Sequence, residues 1–311
     1  MGQMSLYTSN FKSFLISYLI PVLGVVIIIG SIFNYLFEQK IILGSSSNGA
    51  YKVNRIIKRP ADEISIIGSS RAEGAFVPSI ISPHAFNYGL SGAQDDVMLF
   101  FLKEALKHKT HKPIIINFDP EGLDSSLGDL SYYLYNASYK PVRQLMGNAY
   151  EPWFAIPLFK YFGSFEIYTK YYLNNKLQLT KVTDNGGNFE KNILTQQKFA
   201  SLVAERKSTQ TSFKNNTNLQ VDLVQLLKTN KTTPIVFVLS PIHSSYYVSY
   251  KNKSGMHAFF NSITQIPNVH FIDMNYSYPD SMFINTTHLN YQGAIVFSKQ
   301  LKDSLIKRSL L

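Results

Sequence analysis

The chain of 311 residues contains no cysteine, which excludes disulfide staples, thiolate metal ligands and cysteine nucleophiles. Tryptophan is limited to a single residue, Trp153. Acidic side chains are in short supply, 20 against 30 Lys and Arg, and the net charge is +10. The basic residues are scattered among Asn, Tyr and Ser instead of forming a stripe, and neither a GxxxxGK[ST] loop nor a GxGxxG turn occurs. Nucleic acid is therefore not an expected partner, and no metal or cofactor is expected. The excess charge reads as solvated surface, with a secondary attraction to anionic lipid or polymer. With 45% hydrophobic and 16% charged residues the chain can bury a real core, as one large domain or two small ones.

Charge is missing altogether from Phe14 to Phe37, a run of 24 residues. As a helix it spans roughly 36 Å, enough to cross a hydrocarbon layer of about 30 Å. Pro21, Gly24 and Gly30 lie inside it, residues that membrane helices tolerate better than soluble ones. A cleaved signal peptide has a shorter apolar core and a small-residue cleavage site close behind. Here Glu38, Gln39 and Lys40 follow directly, so the expectation is an uncleaved single-pass anchor over 14–37 in a cell membrane, behind a short tail over 1–13. Only Lys12 precedes the span, while Lys40, Lys52 and Arg55 follow it. By charge counting this favours a cytoplasmic C-terminal domain.

Residues 38–61 carry GSSSNGAYKVNRIIKRPA and read as a polar tether. Beyond Pro60, apolar runs alternate with helical patterns. Glu63–Ile67, Ala85–Tyr88, Pro113–Phe118, Pro234–Leu239 and Val269–Met274 read as buried strands. Asp95–Lys109, Leu219–Lys228 and Gly293–Leu305 read as helices. This alternation predicts an α/β fold with a mostly parallel sheet covered on both faces. The interval 124–215 breaks the rhythm and reads as a largely helical, irregular insertion over the active-site edge of a domain spanning 62–311.

Three turns carry candidate chemistry. Gly68-Ser69-Ser70 follows the first strand, where a serine hydroxyl stands exposed at the sheet's carboxyl edge. Asn87-Tyr88-Gly89-Leu90-Ser91-Gly92 follows the second, where glycine lets backbone N–H groups approach a ligand. His288 stands in Asn285-Thr286-Thr287-His288-Leu289-Asn290, after the last strand and before the closing helix. Taken singly, each is equally compatible with an ordinary turn.

Together, GSS, NxGxSG and a terminal HLNxxGA resemble the SGNH (GDSL-type) hydrolase and acyltransferase superfamily. More narrowly they resemble its membrane-anchored extracytoplasmic branch, which includes the teichoic acid D-alanyl-transfer protein and polysaccharide O-acetyltransferase partners. The resemblance covers roughly 62–123 and 232–305. It implies a flavodoxin-like three-layer fold, an extracytoplasmic domain against the charge count, and acyl transfer to a cell-surface glycan acceptor. A multi-spanning membrane acyltransferase would be the partner that hands over the donor. It also implies Ser70 as nucleophile, His288 as base, and the Ser70 and Gly92 N–H groups as oxyanion donors, with Asn117 a third. An esterase of the same fold, or a non-catalytic glycan-binding or scaffold partner, would share these motifs. Where the family places Asp, three before the histidine, this chain has Asn285. Three alternatives follow: a slow enzyme, a substitute carboxylate such as Asp280 or Asp273, or lost catalysis. Asp119 is expected to pair with Arg71 and brace the nucleophile turn, and His243, at the same sheet edge, is a candidate substrate contact.

Overall fold

The charge-free run forms one helix, Phe11–Ile42, in a computed structural model. The structure describes residues 11–311 apart from 109, 158 and 178–180. Most of the tail expected over 1–13 lies outside the described residues. The regular part of the helix, α1 (Ile20–Phe37), is flanked by wider π-type turns at Leu15–Leu19 and Glu38–Ile42. Among the described residues it is the one helix long and apolar enough to span a membrane.

No tether separates α1 from the domain. Residues 38–42 prolong the helix, and Gly49–Ile57 forms α2, with Asn48 Oδ1 accepting from the Ala50 N–H at 2.9 Å as its N-cap. Ala50, Val53 and Ile56 recur at helical spacing and are fully buried. The basic side chains, which made the segment look solvated, reach carboxylates: Lys52 Nζ lies 2.8 Å from Glu73, and Arg55 Nη2 lies 2.5 Å from Glu63. These long-range pairs convert an apparent linker into part of the core.

Five strands form the central sheet: β1 (Ile64–Ile67), β2 (Ala85–Asn87), β3 (Ile114–Asn117), β4 (Ile235–Leu239) and β5 (Val269–Asp273). All pair parallel, in the order β2-β1-β3-β4-β5. Side chains alternate between faces as strand geometry requires. Ile114, Ile116, Ile235 and Phe237 enter one core, which holds residues of α2, α4 (Asp95–Lys107), α7 (Thr217–Thr229) and α8 (Lys253–Ile263). Ile64, Ile66, Ile115, Val236 and Val238 enter the other, with α3 (Ser70–Ala75) and α9 (Tyr291–Lys307). The expected α/β three-layer, flavodoxin-like architecture is therefore present. Its strand order reverses beside β1, so the ligand crevice of such a sheet falls at the carboxyl end of β1.

The start of the interval 124–215 meets the site edge, where Ser126 Oγ donates to the Gly92 carbonyl at 3.1 Å and the Ser126 carbonyl accepts from the Gln94 N–H at 2.9 Å, and later parts pack elsewhere. Phe165–Leu177 (α5) and the preceding turns pack on the end of α1, where Phe37 meets Tyr161, Phe165 and Tyr168. The hairpin of Lys181–Asp184 and Gly187–Glu190 closes the β2 edge, its Asn185 carbonyl accepting from the Asn87 N–H at 2.8 Å. Helix α6 (Gln196–Ser208) buries Phe199 against His243 and Phe283. Part of the aromatic richness of the interval goes into these separate packing surfaces.

Candidate active site

Strand β1 ends at Ile67, and Gly68-Ser69 turns the chain into α3, whose first residue is Ser70. The N–H of a residue at that position has no acceptor within its own helix and is directed out of the helix N-terminus. Ser69 is the cap: its Oγ accepts weakly from the Arg71 N–H and donates to Asp119 Oδ2 at 2.6 Å. Arg71, buried beneath the turn, holds Asp119 at 2.6 Å and Glu121 at 3.0 Å through its guanidinium. The structure thus brings Arg71 and Asp119 together, and adds Glu121, which nothing in the sequence pattern singled out.

His288 is delivered from the far end of the chain. Its carbonyl accepts from the Ile284 N–H at 3.0 Å. Asn290 caps α9, accepting from the Gly293 N–H at 3.0 Å, and its amide donates to the Ser281 carbonyl at 2.6 Å. Pinned this way, His288 Nε2 lies 2.9 Å from Ser70 Oγ, across 218 residues of sequence.

The other ring nitrogen decides what that contact can do. Nδ1 lies 3.1 Å from Asn285 Oδ1 and 3.0 Å from Thr287 Oγ1. The orientation of the Asn285 amide is fixed by its neighbours, because the same Oδ1 accepts the Thr287 and His288 backbone N–H groups at 2.9 and 2.8 Å. An oxygen facing Nδ1 makes that nitrogen the N–H donor and leaves Nε2 with its lone pair towards Ser70. That is the tautomer a general base requires. Among the described residues no carboxylate substitutes for the missing Asp: Asp280 Oδ1 is bonded instead to His243 Nε2 at 3.1 Å, and Asp273 accepts from the Asn275 N–H at 2.9 Å. Burial, reinforced by the positive charge of Arg71, pushes the His288 imidazole down to about 4.

Ser70 and His288 line a pocket of about 240 Å³ together with Ser69, Arg71, Gly92, Gln94, Asp95 and Asp124. Gly92 adopts φ +77°, which favours glycine, and it lines the same pocket as the hydroxyl. The loop that carries it is locked onto α3. Asn87 donates to the Ala72 and Phe76 carbonyls at 2.7 and 2.9 Å and accepts the Gly89 N–H at 2.8 Å. Ser91 Oγ donates to Glu73 at 2.6 Å, and Lys52, fully buried, bonds both Glu73 and the Gly89 carbonyl. A Cβ at Gly89 would fall 2.3 Å from the Glu73 nitrogen, so only glycine permits this approach. Burial pushes the Asp95 carboxyl up to about 8, against the hydrogen bond it accepts from the Asp124 N–H. Burial there favours the neutral acid over the carboxylate.

Three expected site residues are placed elsewhere. Asn117 donates its amide to Asp119 at 2.8 Å and does not line the pocket, which removes it as an oxyanion donor and makes it a brace for the Arg71 cluster. His243 lies outside the pocket, bonded to Ser245 Oγ at 2.8 Å and to Asp280, with its ring against Phe199 and Phe283. Asp280 serves that histidine alone among the described residues.

No protein-family model matches the chain, and no curated protein sequence matches it. Among solved structures it is similar to a protein described as a platelet activating factor from Streptococcus pneumonia, at 13% identity, covering 88% of this chain and 98% of that one with a TM-score of 0.36. It is also similar to an acetyl xylan esterase, Est2A, from the rumen bacterium Butyrivibrio proteoclasticus, at 9% identity, covering 81% of this chain and 65% of that one with a TM-score of 0.33.

Proposed function

We propose that this chain is a membrane-anchored serine acyltransferase that moves an acetyl or similar small acyl group onto a hydroxyl of a cell-surface glycan. The observation that carries the reading is the 2.9 Å contact between Ser70 Oγ and His288 Nε2, both lining a pocket at the sheet's switch point. In the proposed first half-reaction His288 takes the Ser70 proton while Oγ attacks the acyl carbonyl, and the donor's alcohol leaves with the proton returned by His288. The Ser70 and Gly92 N–H groups serve the tetrahedral oxyanion. In the second half, His288 deprotonates a sugar hydroxyl, which attacks the acyl-serine and regenerates Ser70. A pocket walled by Ser69, Gln94, Asp95 and Asp124 suits a polyhydroxylated acceptor. In this reading the long apolar helix anchors the domain, the domain lies on the extracytoplasmic side, and a multi-spanning membrane acyltransferase supplies the donor.

Esterase and transferase share every residue named so far. The full-length protein, given an activated acetyl ester with and without a soluble hydroxylated glycan, separates them. The proposal expects acetyl recovered on the glycan in excess of free acetate. Free acetate alone points to an esterase. Neither product from folded protein points to a glycan-binding scaffold, the reading that Asn285 in place of Asp favours.

A further inference from the structure

Helix α1 does not stand clear of the domain it carries. Phe33 and Phe37, one turn apart near its end, pack on the ring of Phe165 at centroid distances of 6.0 and 4.9 Å. Phe37 also meets Tyr161 and Tyr168 at 5.5 and 5.9 Å, and Lys160 Nζ and Tyr161 Oη bond the Glu38 carboxylate at 2.9 and 2.7 Å. Residues 160–168 are therefore level with the last turns of the apolar helix.

The chain leading into that contact is a string of tight turns. The Ile156, Lys160, Phe162 and Ser164 N–H groups donate to the Trp153, Ile156, Phe159 and Tyr161 carbonyls. Turns this short keep Trp153, Ile156, Phe159 and Phe162 close to the residues that hold α1. Their side chains are 45%, 49%, 55% and 79% exposed. Between α1 and α5, Phe33, Leu36, Phe37, Ile41 and Phe165 also line an apolar hollow of about 630 Å³. Apolar surface of this extent in water is unusual for a monomeric domain. Beside the end of a membrane-spanning helix it is the composition of an interfacial contact, with aromatic rings at headgroup level.

We infer that residues 153–157 and 159–165 are a second membrane contact, immersed in the headgroup and upper acyl region of the phospholipid bilayer that α1 crosses. The inference rests on α1 being an anchor, as proposed above. Its consequence is that the α/β domain sits directly on the bilayer, held by Phe37, Glu38, Lys160 and Phe165, instead of swinging on a linker.

Trp153 is the sole tryptophan, so its emission reports on this surface alone. The test uses the full-length protein in phosphatidylcholine vesicles whose acyl chains carry bromine either high on the chain or near its end, with flotation after an alkaline wash as a separate readout of anchoring. The expected result is flotation together with blue-shifted Trp153 emission, about half of it lost to the high bromines and less to the deep ones. Replacing both Phe159 and Phe162 by Ser should shift the emission back to the red and at least halve that quenching while flotation persists. Flotation with Trp153 quenched by aqueous acrylamide and untouched by bromine overturns the seating and leaves the anchor standing. Shielding from both quenchers means a protein contact and also overturns it. Loss of flotation overturns the anchor and the seating together.

Discussion

Replacing Asn285 by Asp should raise kcat/KM for an ester substrate by about 10- to 100-fold. An Asp-to-Asn change in a serine triad can cost on the order of 10⁴, largely because the amide presents its N–H to the histidine and enforces the wrong tautomer. Here that part of the penalty is absent, since the Thr287 and His288 N–H groups hold the Asn285 oxygen towards Nδ1. What remains missing is the negative charge that stabilises the imidazolium formed as Ser70 attacks. The same variant gives a pH signature. With the wild-type imidazole held at about 4, His288 is the free base across neutral pH, and activity should fall only as pH drops through that value. Aspartate favours the charged ring, so the acid limb of Asn285→Asp should move up towards the ordinary histidine range. Steady-state rates between pH 3 and 8 would check both. An unchanged limb would mean that the side chain at 285 does not set the basicity of the ring.

Replacing Arg71 by Ala should cost about 1–3 kcal/mol of folding stability, because Asp119 loses its charged partner while Glu121, 42% exposed, is left to solvent. The guanidinium is only 5% exposed and bonds both acids, while Asp119 in turn receives Ser69 Oγ and the Asn117 amide. The loss would appear as a lower urea midpoint with an unchanged slope. Arg71→Lys should recover only part of it, since an ammonium offers no planar fork to two carboxylates. A loss below about 1 kcal/mol would indicate a pair as weak as a solvated surface bridge.

The residues at the heart of the site were legible because each sits at an element boundary that the pattern exposes. Ser70 follows the apolar run Ile64–Ile67, and His288 precedes an Asn-capped helix. The strand alternation was likewise enough for the layer order. What stayed hidden depends on pairs distant in sequence. Lys52 lies among Ser, Asn and Gly and looks like linker, yet its partner Glu73 is 21 residues on and the carbonyl it bonds, Gly89, is 37 on. Glu121 and Asp95 have no motif, and only the fold brings them beside Ser70. The substitute carboxylate sought in Asp280 was misplaced for the same reason. Sequence spacing put it near His288, but the turn at Asp280–Met282 faces it towards His243. The insertion was harder to read, since its Tyr and Phe content does not say which rings pack against the domain and which stay exposed.

The central claim is that Ser70 is a nucleophile activated by His288, and a fluorophosphonate reagent with mass spectrometry of the labelled peptides tests it most directly. One adduct is expected on the folded full-length protein, on Ser70 and not on its neighbour Ser69. The adduct should be absent from Ser70→Ala and reduced by about 10³-fold or more in His288→Ala. Protein that is folded by circular dichroism and remains unlabelled, or is labelled at another serine, would contradict it.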